Sequence, residues 1–185
     1  MKIIEKLNGE FLTQPFELED LQIEELNTYK QVAQQYAQLE NSIAVLSDLH
    51  TNVSYIYYGG IAETMGLGKK GEKFTVSSIW EEDIFSYIHP EDLSKKYLQE
   101  LRFYHYIKQL PKPEWNNLFL MSKLRMRDSS GNYLTIFHRM FYITSPSNKF
   151  VWLTLCLYNL SIDSNLNCIA INSLTGECIE LEKQD

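Results

Sequence analysis

The side chains best suited to ligating a metal or moving a proton near neutral pH are four histidines, His50, His89, His105 and His138, and three cysteines, Cys156, Cys168 and Cys178. Their spacing argues against a preformed motif. There is no His-x-x-x-His or Cys-x-x-Cys pair, no Gly-x-Ser-x-Gly elbow, and no cysteine close to a histidine placed to activate it. His89 reads as a helix cap and His138 as a strand residue. His105 lies on a helix, where an imidazole can ligate a haem or a ligand, but a half-buried structural role is the favoured reading. Glu81-Glu82-Asp83 reads as a solvated helix start rather than a metal site. No catalytic residue and no metal site is expected.

Gly66-x-Gly68-x-x-Gly71 matches the dinucleotide fingerprint letter for letter. That fingerprint works when a strand feeds the first glycine and a helix opens at the last, so that backbone amides meet a pyrophosphate. Here a helical stretch precedes the glycines, and Glu72-Lys73-Phe74-Thr75-Val76 follows with strand character. A tightly turned loop is the better reading.

Composition narrows the class. The chain has 185 residues, 44% of them hydrophobic, and a net charge of −7. That suits one packed domain and excludes a disordered chain. The acidic balance suits nucleic-acid binding poorly. No apolar run reaches the roughly 20 residues of a membrane span. Acids near the start, at Glu5 and Glu10, replace the apolar stretch of a secretory signal, so a cytoplasmic location is expected. Three cysteines make no disulfide framework. Residues 94–150 hold ten Lys/Arg against three Asp/Glu, a local +7; a solvated, aggregation-resistant edge is favoured over a phosphate-binding face.

The elements that must position these residues follow from periodicity. Residues 1–16 read as a short mixed lead. From Glu17 to Asn41, Leu18, Leu21, Leu26, Tyr29, Val32, Ala33, Tyr36 and Leu39 recur at helical steps, giving an amphipathic helix of about six turns. Ser42–Asp48 and Val53–Tyr58 read as strands joined through Leu49-His50-Thr51-Asn52. Trp80–Ile88 reads as short helix or irregular packed structure. His89-Pro90-Glu91-Asp92 opens a helix, because proline fits the first turn and two carboxylates oppose the helix dipole. That helix runs to about Gln109 and is packed on more than one side.

Leu118–Arg127, Tyr133–Thr144 and Phe150–Leu160 follow as strands, joined at Asp128–Gly131 and Ser145–Asn148. The first alternates cleanly, as an edge or half-exposed strand does. The third is apolar on both parities, so it is central and covered on both faces. The 17–41 helix is the only element long enough to cover its second face. The tail makes a hairpin at Ser173–Gly176, with Asn172 facing Glu177, Cys178 opposite Ile171 and Cys168 opposite Leu181.

Two strands, short helices, one longer helix and three antiparallel strands is an order that resembles a PAS domain over about residues 42–160. Tyr55-Ile56-Tyr57-Tyr58-Gly59-Gly60-Ile61-Ala62-Glu63-Thr64-Met65-Gly66 is similar to that family's second strand and first short helix. Ile88-His89-Pro90-Glu91-Asp92-Leu93 resembles its His-Pro-Asp step, and Asp128-Ser129-Ser130-Gly131-Asn132-Tyr133 resembles its polar turn. The resemblance implies an α+β fold: a five-stranded antiparallel sheet, helices on one face, the N-terminal helix on the other, and an extra C-terminal hairpin. Residues 1–41 are then a lead and flanking helix, 42–162 the sensor domain, and 163–185 a hairpin and the start of a linker.

The tail through Asn172-Ser173-Leu174-Thr175-Gly176-Glu177 resembles the stretch before the helix-turn-helix of LuxR-type transcriptional regulators with an N-terminal PAS sensor. The implied role is a non-catalytic sensory and dimerisation module, a homodimer that contacts DNA only through a C-terminal domain outside this chain. Flavin-binding members carry a cysteine near the longer helix, whereas every cysteine here lies at 156 or later, so no cofactor is implied. The pocket for a small ligand is expected from Tyr57, Trp80, Phe103, Ile107, Leu120, Ser122, His138, Met140 and Leu155, with the strand parity of Met140 and Leu155 left open. A ligand-free structural dimeriser, or a small NTF2-like enzyme using His138, are the alternatives.

Overall fold

A computed structural model describes residues 2–16, 23–145, 150–161 and 169–181. Its elements are helices α1 (Ile3–Leu12) and α2 (Ile23–Leu39), strands β1 (Ile43–Asp48) and β2 (Val53–Tyr58), helix α3 (Gly60–Met65), strand β3 (Lys73–Val76), helices α4 (Glu82–Phe85) and α5 (Pro90–Ile107), a 3-10 turn at Lys112–Asn117, and strands β4 (Leu118–Arg127), β5 (Tyr133–Thr144), β6 (Val151–Leu160), β7 (Ile169–Asn172) and β8 (Cys178–Glu180). The strands form one antiparallel sheet in the order β3-β2-β1-β6-β5-β4-β7-β8.

The two-sided apolar run at 151–158 is buried at every position and lies between β1 and β5, as its pattern requires. The sheet is wider than expected. β3 adds a strand beyond β2, and the tail hairpin adds two beyond β4, so eight strands replace five. β4 therefore has neighbours on both sides and is not an edge, although its outer side chains stay half-exposed. The tail register is the one read from its turn: Asn172 N donates to Glu177 O at 2.9 Å and Ile171 pairs with Cys178. The expected pairing of Cys168, and the turn at Ser145–Asn148 beyond its first residue, lie outside the described residues.

The lead is not irregular. It forms α1, whose Leu7 and Phe11 are buried against α5 and the sheet. Apolar side chains at 3, 4, 7 and 11 share one helical stripe, and packing of that stripe stabilises a helix too short to persist alone.

The sheet divides two cores. On the inner face, α1, α3, α4 and α5 enclose Ile43, Val45, Ile56, Leu120, Leu124, Ile136, Met140 and Tyr158. On the outer face, Ala33 and Ala37 of α2 lie on Ala44, Leu46, Tyr57, Leu155 and Leu157, so α2 is the expected cover. The small side chains bring α2 close to the backbone beyond it. A Cβ at Gly59 would lie 2.3 Å from the Ala37 carbonyl oxygen and 2.4 Å from that of Ser42.

Candidate functional site: a buried polar cluster beneath α5

The first turn of α5 is held by the residues that announce it. His89 caps the helix, its Nδ1 accepting from Glu91 N at 3.3 Å, and Pro90 occupies the first turn. Asp92 then reaches across to β4. Its carboxylate accepts from Arg125 N and Nε at 2.8 Å and from Arg125 Nη2 at 2.7 Å. The Arg125 hydrogen bonds, against some desolvation, hold the Asp92 carboxyl below the usual aspartate range. This clamp fixes the rotation of α5 over the sheet.

That rotation sends a continuous stripe of α5 inward: Lys96, Glu100, Phe103 and Ile107 are all buried. Lys96 Nζ donates to Glu100 Oε1 at 2.6 Å, and both side chains are 3% exposed. Glu81, immediately before α4, is also buried; the Ser54 and Ser47 hydroxyls lie 2.8 and 3.0 Å from its Oε1. From β5 comes His138, fully buried, with Nε2 3.9 Å from Glu100 Oε1 and Nδ1 at a long 3.5 Å from Ser122 Oγ. From β6 comes Cys156. Ligating atoms of Glu100, His138 and Cys156 lie within 4.8 Å of one another.

Burial governs the electrostatics here. It works to lower the Lys96 ammonium, but Glu100, with Cys156 and Glu81 behind it, more than offsets this, and Lys96 lies above the ordinary lysine value. Glu81 is pushed up by burial, with partial opposition from Lys96 and the two serines. Burial and then the Lys96 charge push His138 well down, so its imidazole is neutral. Burial pushes the Cys156 thiol well up. Among the described residues, His138 Nε2, Gln99 Oε1, Tyr142 Oη and Tyr158 Oη are buried with no hydrogen-bond partner. A void of about 20 Å³ touches Lys96, Glu100, Glu81, Met140, Thr154 and Cys156. It accommodates one water, far short of the roughly 300 Å³ of a site for an organic ligand.

Of the side chains expected to line a pocket, Phe103, Ile107, Leu120, Ser122, His138 and Met140 share the inner face and fill it as packed core. Trp80 is half-buried at the margin, 6.4 Å from Phe11 by ring centroid, its Nε1 donating to Asn8 Oδ1 at 3.1 Å. Tyr57 and Leu155 point the other way. They pair with Ala44 and Leu46 in the register and join those residues beneath α2, so strand parity puts them on the outer face.

The sequence reading passes over Lys96 and Glu100, leaves Glu81 in solvent, and does not bring Cys156 to His138. A Lys and Glu four apart on a helix reads as a solvated pair, and Glu81 reads with its exposed neighbours Glu82 and Asp83. The signal is the stripe: successive steps back from Ile107 of four, three and four residues land on Phe103, Glu100 and Lys96.

The other candidates are structural. In the glycine loop, Lys69 N and Lys70 N donate to the carboxylates of Glu72 and Glu63 at 2.8 and 2.9 Å, so the protein's own acids hold these amides. His105 meets Glu10 of α1 at 3.3 Å rather than the inner core. His50 stacks on Phe16. The basic residues of 94–150 largely find partners inside the chain: Lys108 on Glu10, Arg125 on Asp92 and Glu91, Arg139 on Glu40.

No protein-family model and no curated protein matches the sequence. Among solved structures, the chain is similar to a sensory box histidine kinase/response regulator from Burkholderia thailandensis E264, with 12% identity and a TM-score of 0.41 over 68% of this chain and 80% of that one.

Proposed function

We propose that this chain is a non-catalytic sensory and dimerisation module of PAS type, working in the cytoplasm as a homodimer. In this reading it is the sensor half of a LuxR-type transcriptional regulator and acts on DNA only through a helix-turn-helix domain outside this sequence. The order β2-β1-β6-β5-β4, with α3, α4 and α5 inside and α2 outside, supports the PAS assignment. The observation that carries the sensory reading is the buried cluster. Placing ions and unpaired polar atoms in an apolar core costs several kcal/mol per ion, a cost that a site for an incoming ligand or ion accounts for. The signal would pass through the sheet to α2 and the partner subunit.

A second reading, a ligand-free dimeriser, draws on the filled core around a void of only about 20 Å³. Thermal melting against metabolites and inorganic ions, with sedimentation of the same samples, separates the two. The sensory reading expects one compound or ion to raise the melting temperature and alter self-association. A dimer whose melting no compound or ion moves would leave the structural reading.

A further inference from the structure

Resting on the sensory reading, we propose that Glu100, His138 and Cys156 bind one divalent ion of the zinc class, with a water completing its coordination. The donor set is carboxylate, imidazole and thiolate, the mixture that a borderline-soft ion prefers. It comes from three elements, α5, β5 and β6, fixed by the Asp92–Arg125 clamp and by the central strands. Tetrahedral ligation at about 2.0–2.3 Å sets ligand atoms about 3.3–3.8 Å apart. The separations of up to 4.8 Å found here therefore close with side-chain shifts of an ångström or less each.

Two further observations point to an ion rather than to structural residues that happen to meet. His138 Nε2 is fully buried, faces Glu100 at 3.9 Å, and has no hydrogen-bond partner. Its other nitrogen faces the Ser122 hydroxyl, as the outer partner of a ligating imidazole does. The void beside Glu100 and Cys156 has room for one water, the number a three-ligand site requires.

Lys96 is what makes the site responsive. Its ammonium, 2.6 Å from Glu100 Oε1, holds the carboxylate in the metal-free state. An incoming dication takes over Glu100, and the ammonium is released towards Glu81, which lines the same void. The Cys156 thiol gives its proton to solvent as the sulfur binds. The two anionic ligands, Cys156 and Glu100, neutralise the dication, and any proton that Glu81 carries in the metal-free site leaves to solvent as the carboxylate pairs with Lys96, so the bound site is neutral overall. Glu81 is itself tied to Ser47 of β1 and Ser54 of β2, the strands beneath α2, so the handover reaches the outer face.

Cobalt(II), a spectroscopic stand-in for zinc, tests this on the full chain. The expected result is a thiolate-to-cobalt charge-transfer band that saturates at one equivalent and is reversed by zinc. The band should persist in Cys168→Ser/Cys178→Ser, which leaves Cys156 as the sole thiol. His138→Gln should weaken binding at least about tenfold. No band in the wild type, or a band lost in the double variant, would overturn the assignment. A protein that takes no cobalt but is stabilised by an organic compound would overturn the metal and leave the sensory reading standing. Cobalt bound at Cys156 without any change in hydrogen exchange across α2 would support the site and remove the sensory reading.

Discussion

His138 and Arg139 are consecutive residues of β5 that face opposite sides of the sheet. The imidazole lies 3.9 Å from Glu100 in the inner cluster, while the guanidinium holds Glu40, just beyond the end of α2. Asn159 of β6 adds a hydrogen bond to the same Glu40 carboxylate at 3.0 Å. One peptide unit thus joins the buried cluster to the helix that covers the outer face. No side chain intervenes between the cluster's His138 and the α2 anchor at Arg139.

The anchor is testable by itself. Arg139→Gln removes the ion pair and costs under about 1 kcal/mol, because both partners are partly exposed. Hydrogen exchange should nevertheless rise in the last turn of α2 while the strands stay protected. Uniform exchange across α2 and β5 in the variant would show that Glu40 is not the tether.

Gly59 should tolerate no side chain. A methyl there meets the carbonyl oxygens of Ala37 and Ser42 and the carbonyl carbon of Asn41, all backbone atoms within 2.4 Å, which cannot rotate away. Gly59→Ala should cost about 3 kcal/mol, at the upper end of overpacking effects. Gly71→Ala, where φ is +90° and the space is open, should cost only about 1 kcal/mol of backbone strain. Denaturant midpoints of the two variants should separate accordingly; equal losses would contradict the close approach of α2.

Much of this architecture is legible in the residues, and the failures have a common cause. Strand β6 declares its central place because every side chain from Val151 to Tyr158 is apolar or small enough to bury. The α2 cover follows from that pattern plus one long amphipathic stretch. Parity is harder. Tyr57 and Leu155 carry no mark of which face is which, because both faces of β2 and β6 are covered. The polar cluster was hidden for a different reason: local rules assign Lys96 and Glu100 to water, and only tertiary packing of α5 overrides them. The stripe through Phe103 and Ile107 carried that information, but charge at its upper end masked it. The strands beyond the expected five, β3 and the tail hairpin, already read as strands; what local pattern does not carry is their pairing onto the sheet margins, which widens five strands to eight.

Phe11 is the plug that α1 contributes. It meets Tyr104 edge-on at 5.1 Å and borders the void that Cys156 also lines. Phe11→Ala should cost about 3 kcal/mol. In a Cys168→Ser/Cys178→Ser background, it should raise the rate of thiol modification at Cys156 at least about tenfold by opening local access. An unchanged rate would mean that α1 does not guard the cluster.

The Asp92 clamp predicts a pH dependence. Its native pKa lies below the ordinary aspartate value of 3.8, with the Arg125 hydrogen bonds as the main cause. A lowered carboxyl binds its proton more weakly folded than unfolded. It therefore contributes stability in full above the unfolded value, and loses it as pH falls through the native one. Asp92→Asn should cost about 2 kcal/mol at neutral pH, since it weakens charge-assisted hydrogen bonds at a mostly buried acceptor. The difference between wild type and variant should shrink below pH 4 in acid titrations followed by urea melts. A constant difference down to the acid transition would assign the loss to packing.

The Lys96–Glu100 pair should behave as a buried ion pair rather than as a stabilising surface contact. Lys96→Met strands the Glu100 carboxylate in the core, and Glu100→Leu strands the ammonium; each should cost about 3–5 kcal/mol. The double variant Lys96→Met/Glu100→Leu removes both charges together with their desolvation penalty, and should recover most of that loss or exceed the wild type in stability. Denaturant unfolding of the four proteins gives the coupling directly. If the double variant loses as much as the two singles combined, the pair is not coupled, and the charges at 96 and 100 are held independently by the rest of the cluster. If it regains stability, the wild-type sequence keeps a costly pair in its core for a purpose other than folding.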